Sequence, residues 1–261
     1  TAVWSSVLDC AGDPDPLVLR GASQLRSNNQ LMGGTLVAAA VLDAAVLGGP
    51  DMGVRAAQHP AGALGSWSSG ESPAICVPDG TRRLDLVSAL IALDERLPNR
   101  GPIVVGLGLH RRMTPMEMAP IAGFDPVQHD PDDVVPTAVI NGIPGAVSRH
   151  VADAPFSIAV GVVELHQYAG VSGGHKAVAV GCGGRETILA LHHRDRVLAS
   201  KVEIGRIAGN PFREAVDALG EAGGCRLALV WVPSVGLWMF GHPRAVVAEA
   251  LSRMEPWTCH S

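Results

Sequence analysis

Short apolar segments alternate with helix-like segments through much of the sequence, and three of the apolar segments are followed at once by polar side chains. The predicted strands cover residues 74–77, 102–107 and 157–163. The polar residues that follow them are Asp79 and Arg82, His110, and His166. This alternation predicts an α/β fold with a largely parallel sheet flanked by helices. Because parallel strands end at a common edge, we expect these polar side chains to share one crevice.

The apolar pattern in the rest of the chain predicts further helices and strands of the same α/β fold. Apolar residues at helical spacing predict an amphipathic helix over residues 84–97. Residues 227–232 and 237–240 read as a strand pair, followed by a helix over residues 243–254. Three further segments are assigned more simply: an alanine-rich helix at 35–47, a loop at 50–72 and a helix at 146–152.

Length and composition limit the size of the domain and the kinds of partner that this protein can have. A chain of 261 residues can bury a sizeable core, and we expect a single α/β catalytic domain over residues 1–261. A net charge of −5 and only 4% aromatic residues give no reason to expect nucleic acid or a membrane as a partner. The five cysteines form no CxxC pair, which argues against a disulfide framework or a zinc ribbon. We therefore expect a cytoplasmic protein.

Residues 161–194 contain several candidate catalytic and cofactor-binding residues. His166 is a candidate acid or base. Lys176 is either a candidate nucleophile in an apolar context or, as is more common for a lone lysine, a side chain that extends from a strand towards solvent. The small-residue turn Ser172, Gly173 and Gly174 offers backbone N–H groups to a phosphate, although it equally suits an ordinary turn. His192 and His193 are adjacent, so at most one of them is expected to reach a site.

The residues after the first two strands have two interpretations each. Asp79 and Arg82 suit a ribose hydroxyl and a substrate carboxylate, or a turn whose Asp caps a helix. His110 suits acid/base catalysis, whereas a single histidine after a strand is more often structural. The residues alone favour the turn for Asp79 and Arg82, since such turns are common, and leave the role of His110 open.

Together the motifs are more specific than any one of them, and they resemble the lactate racemase family. The motifs, in family order, are Asp-x-Thr-Arg at 79–82, Gly-x-His-Arg-x-Met-Thr at 108–114, Glu-x-His at 164–166, Ser-Gly-Gly-x-Lys-Ala at 172–177, Glu-Thr-Ile at 186–188 followed by His192, and Gly-Asn-Pro-x-Arg-Glu at 209–214. The resemblance covers residues 74–254, while residues 1–70 are divergent. It implies the fold of the family's N-terminal catalytic domain.

The resemblance also implies a function: racemisation or epimerisation of a 2-hydroxy acid by reversible hydride transfer. The cofactor would be a nickel-pincer nucleotide, pyridinium-3-thioamide-5-thiocarboxylic acid mononucleotide with nickel. By the family's pattern, Lys176 would attach this nucleotide and His192 would coordinate the nickel. His110 and His166 would be the paired acid/bases, and Arg82 would bind the substrate carboxylate. The nucleotide would be seated by Asp79, Ser172, Gly173 and Gly174.

Long members of the family continue into a second domain, and this sequence ends near the point where that domain would begin. We expect a neighbouring subunit of a homo-oligomer, or residues 1–70, to complete the substrate pocket. The cofactor implies the enzymes that synthesise it as further partners. Two other functions stay open: a non-catalytic carrier of the nickel nucleotide, and, less favoured because no HExxH or comparable spacing occurs, a zinc hydrolase.

Overall fold

A seven-stranded sheet organises the protein in the computed structural model, which describes residues 53–254. The helix predicted at 35–47 lies outside the described residues. The strands within the described range are β1 (Arg55–Ala57), β2 (Ala74–Pro78), β3 (Ile103–Gly106), β4 (Val127–Gln128), β5 (Val134–Ile140), β6 (Ile143–Ser148), β7 (Ser157–Val162), β8 (Leu165–His166), β9 (Gly170–Val171), β10 (Cys225–Val232) and β11 (Leu237–Gly241).

Helices connect these strands and cover both faces of the sheet. Within the described range they are α1 (Pro60–Leu64), α2 (Leu86–Asp94), α3 (Pro115–Met118), a 3₁₀ helix (Ala119–Phe124), α4 (Arg149–Ala152), a π-helix (Ala177–Gly181), α5 (Arg185–Leu191), α6 (Arg194–Val197), α7 (Pro211–Ala222) and α8 (Pro243–Arg253). The helix predicted at 84–97 is confirmed as α2 with narrower bounds, because the Asp85 side chain accepts a hydrogen bond from the Ser88 N–H and caps its start.

The sheet order is β1-β11-β10-β7-β2-β3-β4. The five strands from β10 to β4 run parallel, whereas β11 and β1 are antiparallel at one edge. The prediction of a largely parallel sheet flanked by helices is therefore confirmed. Strands β2, β3 and β7 end at the same edge, as expected for parallel neighbours.

Alternate residues of the central strands enter two apolar cores, one on each face of the sheet. In β2, Ile75 and Val77 join the core that contains α2, while Ala74 and Cys76 join the core on the opposite face. Burial on both faces explains why these strands read as continuous apolar runs in the sequence.

The prediction of a loop over residues 50–72 is wrong in part. Strand β1 pairs antiparallel with β11, and α1 follows it at once. Arg55 Nη1 donates to the Leu64 carbonyl at 2.8 Å and ties the two elements together. A three-residue strand has no readable period, so only its pairing with a distant strand decides its conformation.

The prediction of a helix over residues 146–152 is also wrong in its first half. Residues up to Ser148 belong to β6, which forms a hairpin with β5, and only α4 is helical. The hairpin turns at Asn141 and Gly142, which have φ of 50° and 76°. Two consecutive residues with positive φ form the type of turn that joins adjacent antiparallel strands.

None of the helices described is long and apolar enough to cross a membrane.

The π-helix is a single turn whose short side chains lie near the ends of β2 and β3. Single π turns often occur at functional sites, because the extra residue redirects the side chains around it.

Candidate active site

A cavity of about 450 Å³ opens at the edge where β2, β3 and β7 end. Eight of the nine residues predicted for the site line it: Asp79, Arg82, His110, His166, Ser172, Gly173, Lys176 and His192. Gly174 does not. A Cβ at Gly174 would lie 2.9 Å from Val247 Cγ2, so this glycine permits close packing against α8 behind the cavity. Residues far apart in sequence thus converge at the crevice that the topology predicts.

His110 follows β3 and is held by Asp79, which follows β2. His110 Nδ1 lies 2.8 Å from Asp79 Oδ2. The other carboxylate oxygen, Oδ1, accepts hydrogen bonds from the backbone and side chain of Thr81. Burial raises the pKa of Asp79, but the hydrogen bonds from His110 and Thr81 outweigh it and leave that pKa below its ordinary value. Asp79 is therefore a carboxylate that orients the His110 imidazole.

Arg82 lies at the same cavity wall and is paired with Glu164. Arg82 Nη1 lies 3.1 Å from Glu164 Oε2, and both side chains are about two-fifths exposed. Such an exposed pair contributes little to stability. The guanidinium can therefore exchange Glu164 for an incoming carboxylate at little cost.

His166 ends β8 and forms part of a tight hairpin. Its Nδ1 accepts hydrogen bonds from the backbone N–H groups of Tyr168 and Ala169, at 3.2 and 3.1 Å. Burial lowers the pKa of His166 to about 3, with smaller contributions from the charges of Lys176, Arg82, His192 and Arg213. The imidazole is therefore neutral at physiological pH.

Lys176 immediately precedes the π-helix and lines the cavity. Burial, together with the positive charges of Arg82 and Arg213, lowers the pKa of its amine to about 8. About a tenth of the amine is therefore unprotonated at pH 7. This is the condition that a nucleophilic lysine requires.

The two adjacent histidines lie between two helices: His192 follows the last residue of α5, and His193 precedes the first residue of α6. His192 lines the cavity, and its Nδ1 lies 2.9 Å from the Ile188 carbonyl. His193 is exposed and caps α6, where its Nδ1 accepts a weak hydrogen bond from the Asp195 N–H. His192 also contacts Phe212 and Tyr168 edge-on, which fixes its ring plane.

The Ser172 turn is held by backbone contacts. Ser172 Oγ donates to the Val162 carbonyl at 2.7 Å and accepts from the Glu164 N–H at 3.0 Å. Gly173 has a φ of 84°, and a Cβ there would lie 2.8 Å from Val163 Cγ2. The hydroxyl thus joins β7 to the turn, and the glycine lets the turn pack against the end of the strand.

A buried polar cluster behind Lys176 was missed by the sequence reasoning. Asp217 Oδ1 accepts from Arg213 Nη2 at 2.7 Å and lies 3.1 Å from His175 Nδ1. Arg213 is 2% exposed and His175 is fully buried. The spacing of Arg213 and Asp217, four residues apart on α7, hints at a pair, but nothing local links either of them to His175.

Comparison with known proteins assigns the family. The family model described as lactate racemase N-terminal domain matches residues 56–205, more than half of the chain. The protein therefore belongs to the lactate racemase family, through the N-terminal domain.

Two curated relatives agree with this assignment. The lactate racemase of Lactiplantibacillus plantarum is 28% identical over 138 residues, which cover 49% of this chain and 32% of the relative. The lactate racemase of Thermoanaerobacterium thermosaccharolyticum is 27% identical over 191 residues, covering 66% and 45%. The chain thus spans less than half the length of these relatives.

Solved structures share the fold. The lactate racemase apoprotein from Thermoanaerobacterium thermosaccharolyticum matches with a TM-score of 0.66 and 19% identity, covering 77% of this chain and 56% of that chain. A Thermotoga maritima protein matches with a TM-score of 0.53 and 18% identity, covering 75% and 56%.

Proposed function

We propose that this protein is an isomerase that racemises or epimerises a 2-hydroxy acid, using a nickel-pincer nucleotide attached to Lys176. The observation that carries the proposal is the convergence of Lys176, His192, His110 and Arg82 on one cavity in a member of the lactate racemase family. Each residue brings a different chemical ability: a nucleophilic amine, a metal-binding imidazole, a base and a cation for a carboxylate.

The residues present fit this cofactor. No group of three or more His, Cys, Asp or Glu side chains within residues 53–254 is arranged to hold a metal ion. A nickel that arrives with sulfur and carbon donors of its own needs only one protein ligand, which His192 would supply. The His192 Nδ1–H is committed to the Ile188 carbonyl, so Nε2 retains its lone pair for a metal.

The protein's own residues would bind and orient the substrate. Arg82 would leave Glu164 for the substrate carboxylate, which accepts two parallel N–H bonds from a guanidinium. His110, oriented by Asp79, would take the proton of the substrate hydroxyl, and His166 lies at the same cavity as the second histidine of the acid/base pair. When bound, the nucleotide would supply the hydride acceptor for the substrate carbon. A planar keto acid could then regain hydride on either face.

The main alternative is a carrier that binds the nickel nucleotide without catalysis. A carrier needs Lys176 and His192 but has no use for a histidine held by a carboxylate. The Asp79–His110 pair therefore favours an enzyme. A zinc hydrolase is less compatible, since it requires three protein ligands around an open metal position.

Intact mass and nickel content would test the cofactor in protein co-expressed with the enzymes that synthesise it. We expect a nucleotide-sized mass increase and bound nickel, both lost in Lys176→Ala. Lys201 is the other lysine of the sequence and is exposed, so Lys201→Arg is the matched control and should keep the adduct. An unmodified wild-type mass, or an adduct that persists in Lys176→Ala, would refute the attachment.

Chiral chromatography would then separate the enzyme from the carrier. We expect loaded wild-type protein to equilibrate the two configurations of a 2-hydroxy acid, and loaded His110→Gln to keep the adduct but lose the activity. A panel that includes lactate, larger 2-hydroxy acids and sugar acids is needed, because the chain spans less than half the length of the lactate racemases that it resembles. Loaded protein that leaves every one of these acids unchanged would support the carrier.

A further inference from the structure

Arg213 is a charged residue that the proposed function does not use. It belongs to the Gly-Asn-Pro-x-Arg-Glu motif at 209–214, is 2% exposed, and is not among the residues that line the cavity. Removing a guanidinium from water is costly, and a buried ion pair such as that of Arg213 with Asp217 often stabilises a fold no better than two apolar side chains would. Stability by itself therefore does not explain why a positive charge lies here.

The guanidinium lies against the turn that carries Lys176. Its Nη1 donates a long hydrogen bond of 3.4 Å to the carbonyl of Val171, at the end of β9. Its Nη2 lies 3.3 Å from the position that a Cβ of Gly174 would occupy. Arg213 thus contacts the turn where the strand enters it and again two residues before the lysine.

The counter-ion of Arg213 binds the residue next to the lysine. Asp217 Oδ1 accepts from Arg213 Nη2 at 2.7 Å and lies 3.1 Å from Nδ1 of His175, which is fully buried. Because His175 and Lys176 are consecutive, the place of this ion pair on α7 helps to set the backbone from which the lysine side chain extends.

Close contacts hold α7 against the same turn. The helix is capped by Asn210, whose Oδ1 accepts from the N–H groups of Phe212 and Arg213 at 3.0 and 3.1 Å. Near the end of the helix, a Cβ on Gly220 would lie 2.6 Å from Cβ and 2.7 Å from the carbonyl oxygen of His175. The helix backbone therefore packs directly on His175, and the Arg213 side chain reaches the turn from a fixed base.

The charge of Arg213 acts on the amine of Lys176. Burial, followed by the charges of Arg82 and Arg213, lowers the pKa of this amine to about 8. Both guanidiniums keep their charge throughout the ordinary pH range. Arg82 is expected to bind the substrate carboxylate, whereas Arg213 does not line the cavity and keeps its charge near the amine independently of the substrate.

The other titratable groups around the amine add no unpaired positive charge at pH 7. Burial lowers the pKa of both His166 and His192, so both rings are neutral at that pH. The remaining charged groups of the site form two ion pairs, Asp79–His110 and Arg82–Glu164. A change of charge at Arg213 should therefore be measurable at the amine.

We propose that Arg213 is a positioning residue for cofactor attachment, which holds the turn of residues 171–175 from behind and prepares Lys176 to form its bond to the nucleotide. This proposal rests on the proposed function. The Lys176 nitrogen would attack the carbon of a thiocarboxylic acid group, which becomes the thioamide. A C–N bond forms, and one water leaves with the oxygen of that carbon, one hydrogen from sulfur and one from nitrogen, so nothing is oxidised or reduced. Only an unprotonated amine has the lone pair for this step, and a nearby cation favours that form.

The reactivity of Lys176 can be measured in the protein without cofactor. A small acylating reagent is applied over a range of pH values, and acylation of Lys176 is read by peptide mass spectrometry. Arg213→Met/Asp217→Asn removes both charges of the pair but leaves an amide oxygen that can accept from His175. We expect labelling at pH 7 to slow roughly three- to tenfold and its midpoint to rise, as when one like charge is removed from a buried amine. An unchanged midpoint would overturn the proposal.

Further variants separate the charge from a general loss of packing. Arg213→Lys keeps a positive charge and should keep the wild-type midpoint, and a rise as large as in the double variant would overturn the proposal. Arg185→Met/Asp132→Asn is the matched control, since it removes an exposed ion pair of the same 2.7 Å length and should not change the labelling of Lys176. Urea unfolding shows whether each variant is folded. Arg213→Gln, which can still donate to Asp217, replaces the double variant if that one does not fold.

Attachment itself is followed in protein co-expressed with the enzymes that synthesise the cofactor. Samples taken over time are analysed by intact mass, and the fraction of folded protein that carries the adduct is compared. We expect the adduct to form more slowly in Arg213→Met/Asp217→Asn than in the wild type, and at close to the wild-type rate in Arg213→Lys. Equal rates in the double variant and the wild type would overturn the proposal, whatever the labelling shows.

The two proposals fail in different ways. If wild-type protein carries neither adduct nor nickel, the proposed function fails, while the labelling still decides whether Arg213 sets the reactivity of Lys176. If the wild type and the double variant are loaded equally fast, the proposed function stands and Arg213 has a structural role only.

Discussion

The backbone of Gly106 at the end of β3 lies directly against that of Gly181 at the end of the π-helix. A Cβ built on Gly106 would come within 3.0 Å of the Cα and carbonyl carbon of Gly181. The Gly108 N–H donates to the Gly181 carbonyl at 2.8 Å, which secures the same contact. Because Lys176 directly precedes the π-helix, this contact helps to set the depth of the amine in the cavity.

Gly106→Ala should therefore push the π-helix away from β3. We expect a loss of about 1–3 kcal/mol in the free energy of unfolding, as for other overpacked sites, and slower cofactor attachment. Gly181→Ala is the matched control, because a Cβ there meets Gly106 only at 3.5 Å, an ordinary contact. Equal urea midpoints for the two variants would contradict this account.

The low pKa of Lys176 predicts its reactivity. Because its pKa is lowered to about 8 from 10.5, free amine should accumulate as the pH rises through 8. Competitive labelling with a small acylating reagent, read by peptide mass spectrometry, should give a midpoint near pH 8 for Lys176. Exposed Lys201 is labelled in the same sample and serves as the internal control for the reagent. A midpoint near 10.5 for Lys176 would be incompatible with the buried, cation-flanked environment.

The same lowered pKa has a consequence for stability. The pKa of Lys176 is about 8 in the folded protein and 10.5 in the unfolded chain. Below pH 8 the buried ammonium therefore lowers the free energy of unfolding by its full amount, and this cost disappears as the pH rises to 10.5. Lys176→Met should thus raise the free energy of unfolding by roughly 1–3 kcal/mol more at pH 7 than at pH 10. Lys201→Met, at an exposed position, is the matched control. A gain for Lys176→Met that is the same at both would point to packing alone.

The cluster behind Lys176 makes a prediction about stability. Asp217→Asn would leave the buried Arg213 guanidinium without its counter-charge, and we expect a loss of about 3–5 kcal/mol in urea unfolding. Asp132→Asn is the control, since it breaks an ion pair of the same 2.7 Å length that is half exposed, and it should cost much less than Asp217→Asn. Similar losses in the two variants would mean that Arg213 finds another partner or water.

Asp79 is expected to act by positioning His110. In Asp79→Asn the amide cannot hold the Nδ1 proton as firmly, so the imidazole should partly change tautomer and kcat should fall by about 10²–10⁴-fold in the loaded protein. The ring ¹⁵N signals of His110 provide a readout that a purely structural role would not change. Thr81→Val removes the hydroxyl that donates to Asp79 Oδ1, keeps the backbone N–H that also donates there, and should leave those signals in place. Unchanged His110 signals in Asp79→Asn would argue against positioning.

The local sequence was enough to predict the strands and helices that are marked by a regular apolar pattern and by turn or capping residues at their ends. The apolar runs that became β2, β3, β7 and β10 were readable because strands buried on both faces have no polar interruption. Since parallel strands end at one edge, the residues that follow them could be expected at one cavity, and the cavity at that edge agrees with this. The family motifs depend on fixed spacing within short segments, which is also local information.

Tertiary structure alone decided what each polar group contacts. Asp79 and His110 are 31 residues apart, Arg82 and Glu164 are 82 apart, and His175 and Asp217 are 42 apart. No period or propensity links such pairs, because they meet only when separate strands and helices pack. The type and order of the reactive groups are thus a property of the sequence. Which nitrogen of a histidine holds the proton, and how far the Lys176 pKa falls, depend on burial and on hydrogen-bond partners that exist only in the folded protein.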